Sequence, residues 1–248
     1  MFQPKNEVQF ERLQNLIDIS FREQWDPQDA IDWEQEIKIP LGINDKIYVD
    51  MVSQLYYAEE ATISIIATLL ATVPDLHAKQ YLCTQAMDEA RHAQVYKRYL
   101  QKLGDIAPIN ESLKYVLEKG LSWKGNYCAA IVALNVVMEG EAVSQQQKRI
   151  DTLPCPLFQN INKTIIRDEA RHAAFGKVYM KEKLPSLAVD DKLEIYEWIK
   201  DLWGHWAIAN QGRYSIDGSE ILRTEKTELN DRWQFQRDVF KKIGLITH

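Results

Sequence analysis

The sequence contains few cysteines, and their spacing fits neither a disulfide framework nor a zinc site. Only three of the 248 residues are cysteine, and none falls in a Cys-x-x-Cys pair. An odd number of scattered cysteines excludes a disulfide-stabilised secreted scaffold and is typical of unpaired thiols in a reducing compartment. We therefore expect a cytoplasmic protein with free cysteines.

Several signals of other protein classes are also missing. The formal net charge is −6, so the basic surface of a nucleic-acid-binding protein is not expected. The start, MFQPKNEV, has no apolar core of a signal peptide, and the apolar stretch 61–73 is too short to span a bilayer. The chain also lacks GxGxxG, GxxxxGK[ST] and GxSxG motifs. We expect neither nucleic acid nor a membrane as a partner.

Glycine and proline are scarce as well, and their positions separate long stretches with helical periodicity. Together they number 18, and strand-like alternation is rare. Helices are predicted near 6–22, 44–73, 75–103, 111–119, 126–151, 156–183, 188–212 and 218–242. An irregular segment containing Pro27, Pro40 and Gly42 follows the first helix, and Gly120 and Gly125 are predicted to end the short fourth one. No linker divides the chain, so one all-α domain covering 1–248 is expected.

One hexapeptide, DEARHA, occurs twice. It fills 88–93 and 168–173, which are 80 positions apart, and Pro74 and Pro154 are separated by the same 80 positions. Each proline follows one long predicted helix and precedes another, so the chain contains two matched antiparallel helical hairpins. Two such hairpins predict a four-helix bundle.

Each copy of the hexapeptide contains a Glu-x-x-His motif. The motif residues are Glu89 with His92 and Glu169 with His172. Residues three apart in a helix lie on one face, so a carboxylate and an imidazole can bind the same metal ion. One such motif arises easily by chance, whereas two on matched helices are a strong signal of a metal site.

Two further glutamates are expected at the same height of the bundle. In each hairpin the motif glutamate lies 15 residues after the proline, and the residue 15 before the proline is Glu59 in one hairpin and Glu139 in the other. Both lie on mostly apolar helical faces, whereas Glu141 precedes a polar face. Glu60 and Glu141 are therefore expected at the rim of the site or behind its ligands.

Four inward-facing glutamates would be costly to bury without partners, because ionised carboxylates resist desolvation. Two bound cations would remove that cost. The alternative is a metal-free bundle whose charges remain solvated. The repeated motif favours the dinuclear metal site.

This arrangement resembles the ferritin-like di-metal carboxylate superfamily over roughly residues 44–183. The stretches AEEAT (58–62) and MEGEA (138–142) are similar to the branch that contains the ribonucleotide reductase small subunit and diiron oxygenases. The resemblance implies a ferritin-like four-helix bundle with extra N- and C-terminal helices. It also implies two iron ions, with manganese or a mixed Mn/Fe pair as alternatives, and dioxygen as a co-substrate.

The resemblance further implies how the ligands are shared. One metal would take Glu59 and His92, the other Glu139 and His172, and Glu89 and Glu169 would bridge the two. The aspartates that precede the bridging glutamates would hydrogen-bond the histidines across the site, Asp88 with His172 and Asp168 with His92. Such bonds fix the orientation and basicity of a ligand histidine.

Two arginines also belong to the repeat. Arg91 and Arg171 would either neutralise the surrounding acids or make surface pairs along their own helices. Both interpretations are open on the sequence alone.

Three positions distinguish subgroups of the superfamily. Tyr96, four residues after His92, matches the position of the radical tyrosine in many reductase small subunits, although a core tyrosine without a redox role is the alternative. Leu134 stands where ligand-binding oxidases have a cross-linking tyrosine, so no cross-link is expected. Ile165 stands where arylamine N-oxygenases have a third histidine, which argues against that subgroup.

These residues predict a dinuclear non-haem iron oxidoreductase that activates dioxygen to oxidise or oxygenate a small organic substrate. The alternatives are a ferroxidase that handles iron, and a radical-generating subunit. The resemblance also implies an electron-donor protein as a partner, and a homodimer.

Overall fold

A computed structural model describes residues 7–210 and 225–247, which are almost entirely helical. The α-helices are α1 (Glu7–Arg22), α2 (Pro27–Ala30), α3 (Asp45–Thr72), α4 (Leu76–Leu103), α5 (Glu111–Ser122), α6 (Tyr127–Ile131), α7 (Glu139–Thr152), α8 (Pro156–Lys183), α9 (Val189–Asn210) and α10 (Lys226–Ile243). A π-helical segment, Val132–Met138, joins α6 to α7 in one continuous helix, and a 3₁₀ turn, Leu184–Ser186, follows α8.

The predicted all-α class is confirmed, and the four long helices begin and end within one residue of their predicted bounds. One predicted break is wrong, because α5 continues through Gly120 as far as Ser122. A single glycine inside a helix costs only about 1 kcal/mol, and Gly120 lies against Ile65 of α3. Three predicted helices extend beyond the described residues. Residue 6 of the helix 6–22, residues 211–212 of the helix 188–212 and residues 218–224 of the helix 218–242 lie outside them.

Several helices begin at an asparagine whose side chain caps the first turn. The side-chain oxygens of Asn44, Asn110 and Asn126 each accept a hydrogen bond from a backbone N–H in the turn that follows. At the other end, α4 stops at Gly104, whose φ of 88° is in the left-handed region. These local signals fix where the long helices start and stop, and so which residues face inward.

The helices pack as the two predicted hairpins, α3 with α4 and α6–α7 with α8, and α4 lies against α8 at the centre. Helix α1 covers α4 and α8 on one side, while α5 and α9 pack together and α10 lies against α8.

Two apolar clusters fill the interior at different heights. One cluster lies at the Pro74 turn and includes Ile66, Leu69, Tyr81 and Phe175, and the other lies at the Pro154 turn and includes Tyr48, Tyr96, Tyr99 and Phe158. A polar layer lies between them and is shielded from water on both sides.

The continuous helix Tyr127–Thr152 is long and apolar enough to cross a membrane by length and composition. However, 61% of its most apolar window is buried inside the bundle, as in the core helix of a soluble protein. This helix is therefore weak evidence for a membrane protein. The three cysteines are unpaired, as predicted, with Cys83 exposed and Cys128 and Cys155 buried.

Candidate metal centre

The polar layer contains the six side chains that the sequence predicts as metal ligands. They are Glu59 from α3, Glu89 and His92 from α4, Glu139 from α7, and Glu169 and His172 from α8. None is more than 9% exposed. They form two sets whose potential ligand atoms lie within 4.8 Å of one another, and Glu89 and Glu169 belong to both sets.

In the first set the Nδ1 atom of His92 faces three carboxylates. It lies 3.2 Å from Glu169 Oε1, 3.4 Å from Glu89 Oε2 and 3.7 Å from Glu59 Oε2. Carboxylate oxygens and an imidazole nitrogen this close together form the donor set of a transition-metal ion.

The second set repeats this geometry around His172. Its Nδ1 lies 3.2 Å from Glu89 Oε1, 3.3 Å from Glu169 Oε2 and 4.0 Å from Glu139 Oε1. Each of Glu89 and Glu169 therefore directs one oxygen toward each histidine, whereas Glu139 belongs to the His172 set alone. Two cations, one beside each histidine, would share the two central carboxylates.

The other nitrogen of each histidine meets an aspartate from the opposite hairpin. His92 Nε2 lies 3.1 Å from Asp168 Oδ2, and His172 Nε2 lies 3.1 Å from Asp88 Oδ2. The crossed hydrogen bonds expected from the sequence are thus present. Because a carboxylate only accepts, it selects the N–H at Nε2, and a neutral imidazole would then direct its Nδ1 lone pair at the glutamates.

The two arginines of the repeat are buried, so the interpretation that they make surface pairs is wrong. Arg171 Nη2 donates to Asp88 Oδ2 at 2.8 Å and to Asp168 Oδ1 at 2.7 Å. Arg91 donates to Asp88 and lies 3.7 Å from Asp168. Burial raises the pKa of Asp168, but the hydrogen bond and charge of His92, together with Arg171, outweigh burial and hold that pKa well below its usual range. Asp168 therefore stays ionised behind His92.

Burial has the opposite outcome for the two outer glutamates. It raises the pKa of Glu59 and Glu139 well above the usual range, and repulsion from the charge of Glu169 adds to the rise. Burial and the charge of Glu169 therefore both disfavour the ionised form of these two carboxyl groups when no cation balances them.

The two central glutamates stay ionised because the histidines balance them. Burial raises the pKa of Glu89, but the positive charge of His172 outweighs it, and the pKa is lowered to about 2. In the same way the charge of His92 lowers the pKa of Glu169. Burial lowers the pKa of His92 and His172, yet Glu169 and Glu89 respectively raise both pKa values well above the usual range.

One ligand nitrogen of the layer is left without a hydrogen bond. Nδ1 of His92 is buried and has no hydrogen-bond partner among the residues that the structure describes, although three carboxylates surround it. A buried nitrogen that faces only carboxylates is suited to a metal ion. The residues present therefore fit a dinuclear cation.

Two residues between α1 and α2 complete the layer, and sequence reasoning missed them. Trp25 Nε1 donates to Asp168 Oδ2 at 2.7 Å, and its ring stacks on His92 with the centroids 6.1 Å apart. Gln24 Nε2 donates to Asp88 Oδ1 at 3.3 Å. Both come from an irregular segment far from the aspartates in sequence, so no spacing could have indicated them.

A buried amide pair on the other side of the layer was also missed. Gln85 Nε2 donates to Glu139 Oε1 at 2.8 Å and to Glu89 Oε1 at 3.1 Å. Its own oxygen accepts from Asn135 Nδ2 at 2.7 Å. Gln85 lies four residues before Glu89 on the same inward face, and that spacing could have identified it.

The two rival glutamates lie outside the ligand cluster. Glu60 is exposed and accepts a hydrogen bond from Tyr56 Oη. Glu141 is buried, where it pairs with Arg232 and accepts from Gln236 Nε2 at 2.9 Å. Arg232 and Gln236 of α10 cover Glu141, whereas Ser144, three residues further along α7, is exposed.

Tyr96 is fully buried in the second apolar cluster, one helical turn beyond His92. Its hydroxyl donates to Asn162 Oδ1 at 3.2 Å, and burial raises the pKa of the phenol. The tyrosine therefore remains neutral beside the polar layer.

A cavity of about 240 Å³ lies between α3 and α7 and reaches the cluster. Glu59, Glu139 and Glu169 form part of its wall, and α5 and α9 close its outer side with Val116, Trp203 and other apolar residues. Of the two central glutamates, Glu169 lines this space and Glu89 does not. A small organic molecule bound there would therefore contact the cluster on its Glu169 side.

The fold and this site define a ferritin-like protein with a carboxylate–histidine centre suited to two metal ions. The family model of the P-aminobenzoate N-oxygenase AurF matches residues 58–210, more than half of the chain, and the chain belongs to this family. It is thus an oxygenase or oxidase. The expectation that Ile165 places the chain outside the arylamine N-oxygenases is wrong, because the family model of such an enzyme matches this chain. Ile165 itself is a buried residue of α8.

Solved structures of other proteins share the fold. An R2-like ligand-binding oxidase from Sulfolobus acidocaldarius superimposes with a TM-score of 0.67 at 19% identity, over 93% of this chain and 89% of that one. An R2-like ligand-binding oxidase with an aerobically reconstituted Mn/Fe cofactor gives a TM-score of 0.68 at 19% identity, over 94% and 92%. At this identity the likeness shows the fold alone. No curated protein matches the chain by sequence.

Proposed function

We propose that this protein uses a dinuclear iron centre and dioxygen to oxidise or oxygenate a small organic molecule bound in the cavity beside Glu59, Glu139 and Glu169. The observation that carries the proposal is the contact between the ligand cluster and this cavity, since the same three carboxylates belong to both. A ferroxidase needs no apolar space for an organic molecule, so the cavity favours an oxygenase.

We assign the ligands by the two sets of the cluster. Glu59 and His92 would hold one metal, Glu139 and His172 the other, and Glu89 and Glu169 would bridge them. Iron is the first candidate, with a manganese or mixed Mn/Fe pair as alternatives, because oxygen and nitrogen ligands alone do not select among these metals. An R2-like ligand-binding oxidase of the same fold carries a Mn/Fe cofactor.

When bound, such a pair of metals supplies the electrons that reduce dioxygen and so makes it reactive toward the substrate. The residues of this chain hold the ligands in place for that chemistry. Asp88 and Asp168 fix the orientation of the histidines, and Arg91 and Arg171 balance the charge of these aspartates. The apolar clusters above and below the layer exclude water from it.

A primary aromatic amine is the substrate class to test first. The P-aminobenzoate N-oxygenase whose family includes this chain acts on such an amine. The cavity of about 240 Å³, walled by apolar and aromatic residues, suits a single ring.

Further parts of the proposal concern the whole protein. We propose a single domain over residues 1–248 with its metal-binding bundle at about 44–183, located in the cytoplasm. An electron-donor protein would reduce the metals, and the protein would form a homodimer. Neither a membrane nor nucleic acid has a part in this function.

The first test is metal content and oxygen reactivity. After anaerobic iron loading we expect two irons per chain and an absorption band that develops only when oxygen is added. Glu89→Ala is expected to retain less than half of the iron and to lose the band, because Glu89 faces both histidines. Glu60→Ala, which changes a neighbouring exposed glutamate outside the cluster, should behave like the wild type.

Circular dichroism of both variants checks that the helices are retained. If the wild type binds no metal under iron, manganese or mixed loading, the proposed function fails. A tyrosyl radical signal that disappears in Tyr96→Phe would instead support the radical-generating alternative.

A further inference from the structure

We infer that Gln146 determines substrate specificity, by accepting a hydrogen bond from a donor group at the end of the substrate far from the metals. The inference rests on the proposed function in one respect, namely that the cavity is the substrate site. Nothing in the sequence pattern singles out this glutamine, and it is not part of the ligand cluster.

The position of Gln146 places it at the distal end of the cavity. It lies on α7 seven residues after Glu139, so the two residues share one face about two turns and roughly 10 Å apart along the helix axis. Both side chains line the cavity. A molecule that touches the cluster at one end can therefore reach Gln146 at the other.

The amide of Gln146 is buried without a partner. The residue is 2% exposed, and its Oε1 has no hydrogen-bond partner within residues 7–210 and 225–247. Burying an amide oxygen without a donor costs free energy, so such atoms in native proteins need a specific explanation. A bound molecule with an N–H or O–H group would satisfy this oxygen.

Other polar side chains along the cavity differ from Gln146 in this respect. Gln54 Oε1 accepts from Asn110 Nδ2 at 2.8 Å. Glu141 and Lys148 are held by ion pairs with α10. These groups are already satisfied by the protein, whereas the Gln146 oxygen is not, and a rotation of this side chain toward the cavity would present the oxygen to a ligand.

The remaining walls define the rest of the molecule. Between Glu139 and Gln146 the cavity is lined by small and apolar side chains, including Ala58, Ala142 and Val137, and by the ring of Trp203. These surfaces suit an aromatic ring. The chemical class that fits is an aromatic amine whose ring carries a hydrogen-bond donor, such as a carboxamide or a hydroxymethyl group, opposite the amine.

The test measures binding without turnover, using the metal-loaded protein without reductant. Tryptophan fluorescence reports occupancy, because Trp203 and Trp206 line the cavity. The two probes are 4-aminobenzamide, which has a donor end group, and 4-methylaniline, which has none. We expect Gln146→Leu to weaken 4-aminobenzamide binding about tenfold, as the loss of one buried hydrogen bond predicts, and to change 4-methylaniline binding less than twofold.

A neighbouring glutamine provides the matched control. Gln147 is exposed and bonds Asp151 at 2.9 Å, so Gln147→Leu should leave both affinities unchanged. The melting temperature separates ligand binding from packing. Gln146→Leu removes an unpaired buried amide and should melt no lower than the wild type, whereas a glutamine retained for packing would lower the melting temperature when replaced.

The inference is overturned if the wild type does not bind 4-aminobenzamide, or if Gln146→Leu changes both affinities by the same factor. The proposed function is judged separately, by oxygen-dependent product formation in reduced protein. Gln146-dependent binding without any product would refute the arylamine oxygenase and leave the binding role of Gln146 standing.

Discussion

At the scale of single residues, Gln85 connects the two halves of the centre. Its amide donates to Glu89 from its own hairpin and to Glu139 from the other, and Asn135 fixes which way the amide faces. The amide thus orients two carboxylates at once, that of Glu89, which belongs to both ligand sets, and that of Glu139, which belongs to one. Partners behind metal ligands commonly affect metal affinity nearly as much as the ligands do.

Gln85→Leu should therefore weaken iron binding by about 10- to 100-fold. Both carboxylates lose their only amide donor described in the structure, and the leucine keeps a similar volume. Competition with a chelator of known affinity measures the change. Gln80→Leu on the exposed face of the same helix is the control, and equal affinities for both variants would contradict the positioning role.

The residues of the centre differ in how far sequence could predict them. The six clustered side chains follow from helical spacing and from equal distances to the two prolines, since both are visible in the chain. Trp25 contacts Asp168 from a loop 143 positions away, so only the folded chain reveals it. The ion pair of Glu141 with Arg232, which lies 91 positions further on, is likewise visible only in the folded chain. Local periodicity cannot show which helix covers a given face.

At the scale of elements, the π-helical segment Val132–Met138 is the main departure from a regular bundle. The backbone N–H of Glu139 bonds the carbonyl of Leu134, five residues back instead of four. The widened turn brings Asn135 against Gly176 of α8, where a Cβ atom would lie 2.6 Å from Asn135 Cβ. π turns of this kind are frequent at functional sites.

Gly176→Ala should lower the free energy of unfolding by about 1–3 kcal/mol, because the added methyl group has no room beside the backbone of Asn135. Gly204 of α9 is the matched control. An added Cβ there meets nothing within 4 Å, so Gly204→Ala should raise the stability by about 0.5–1 kcal/mol. Urea denaturation of the wild type and the two variants measures both effects. A Gly176→Ala protein as stable as the wild type would show that the neighbouring helix can move to make room for the methyl group.

At the scale of the whole molecule, α10 closes the bundle over α7. Arg232 pairs with the buried Glu141, and its guanidinium lies 4.6 Å from the ring centroid of Trp206. One side chain thus joins α7, α9 and α10 beside the cavity. The repeated motif in the sequence predicts a symmetric pair of hairpins, but α5 and α9 flank the cavity that reaches the ligand cluster, so the two faces of the bundle are not equivalent.

Arg232→Met should destabilise the protein by about 3 kcal/mol, because Glu141 would remain buried without its cation. The double variant Arg232→Met with Glu141→Leu should recover part of that loss. Lys200→Met, which breaks an exposed pair with Glu197, should change the stability by about 0.5 kcal/mol or less. Chemical denaturation of the four proteins tests this, and equal losses for Arg232→Met and the double variant would contradict it.

The widened turn before Glu139 also affects how the chain tolerates a change of length at this point. Each residue of a regular α-helix turns the chain by about 100°. A turn closed five residues back takes up one residue more than a regular turn for nearly the same rotation. If one residue were deleted from Val132–Met138 and the turn closed to a regular helix, α6 and Glu139 would therefore keep nearly the same orientation relative to each other. A single-residue deletion should thus be tolerated better here than in the regular helix α8, where it would rotate one half of the helix by about 100° against the other.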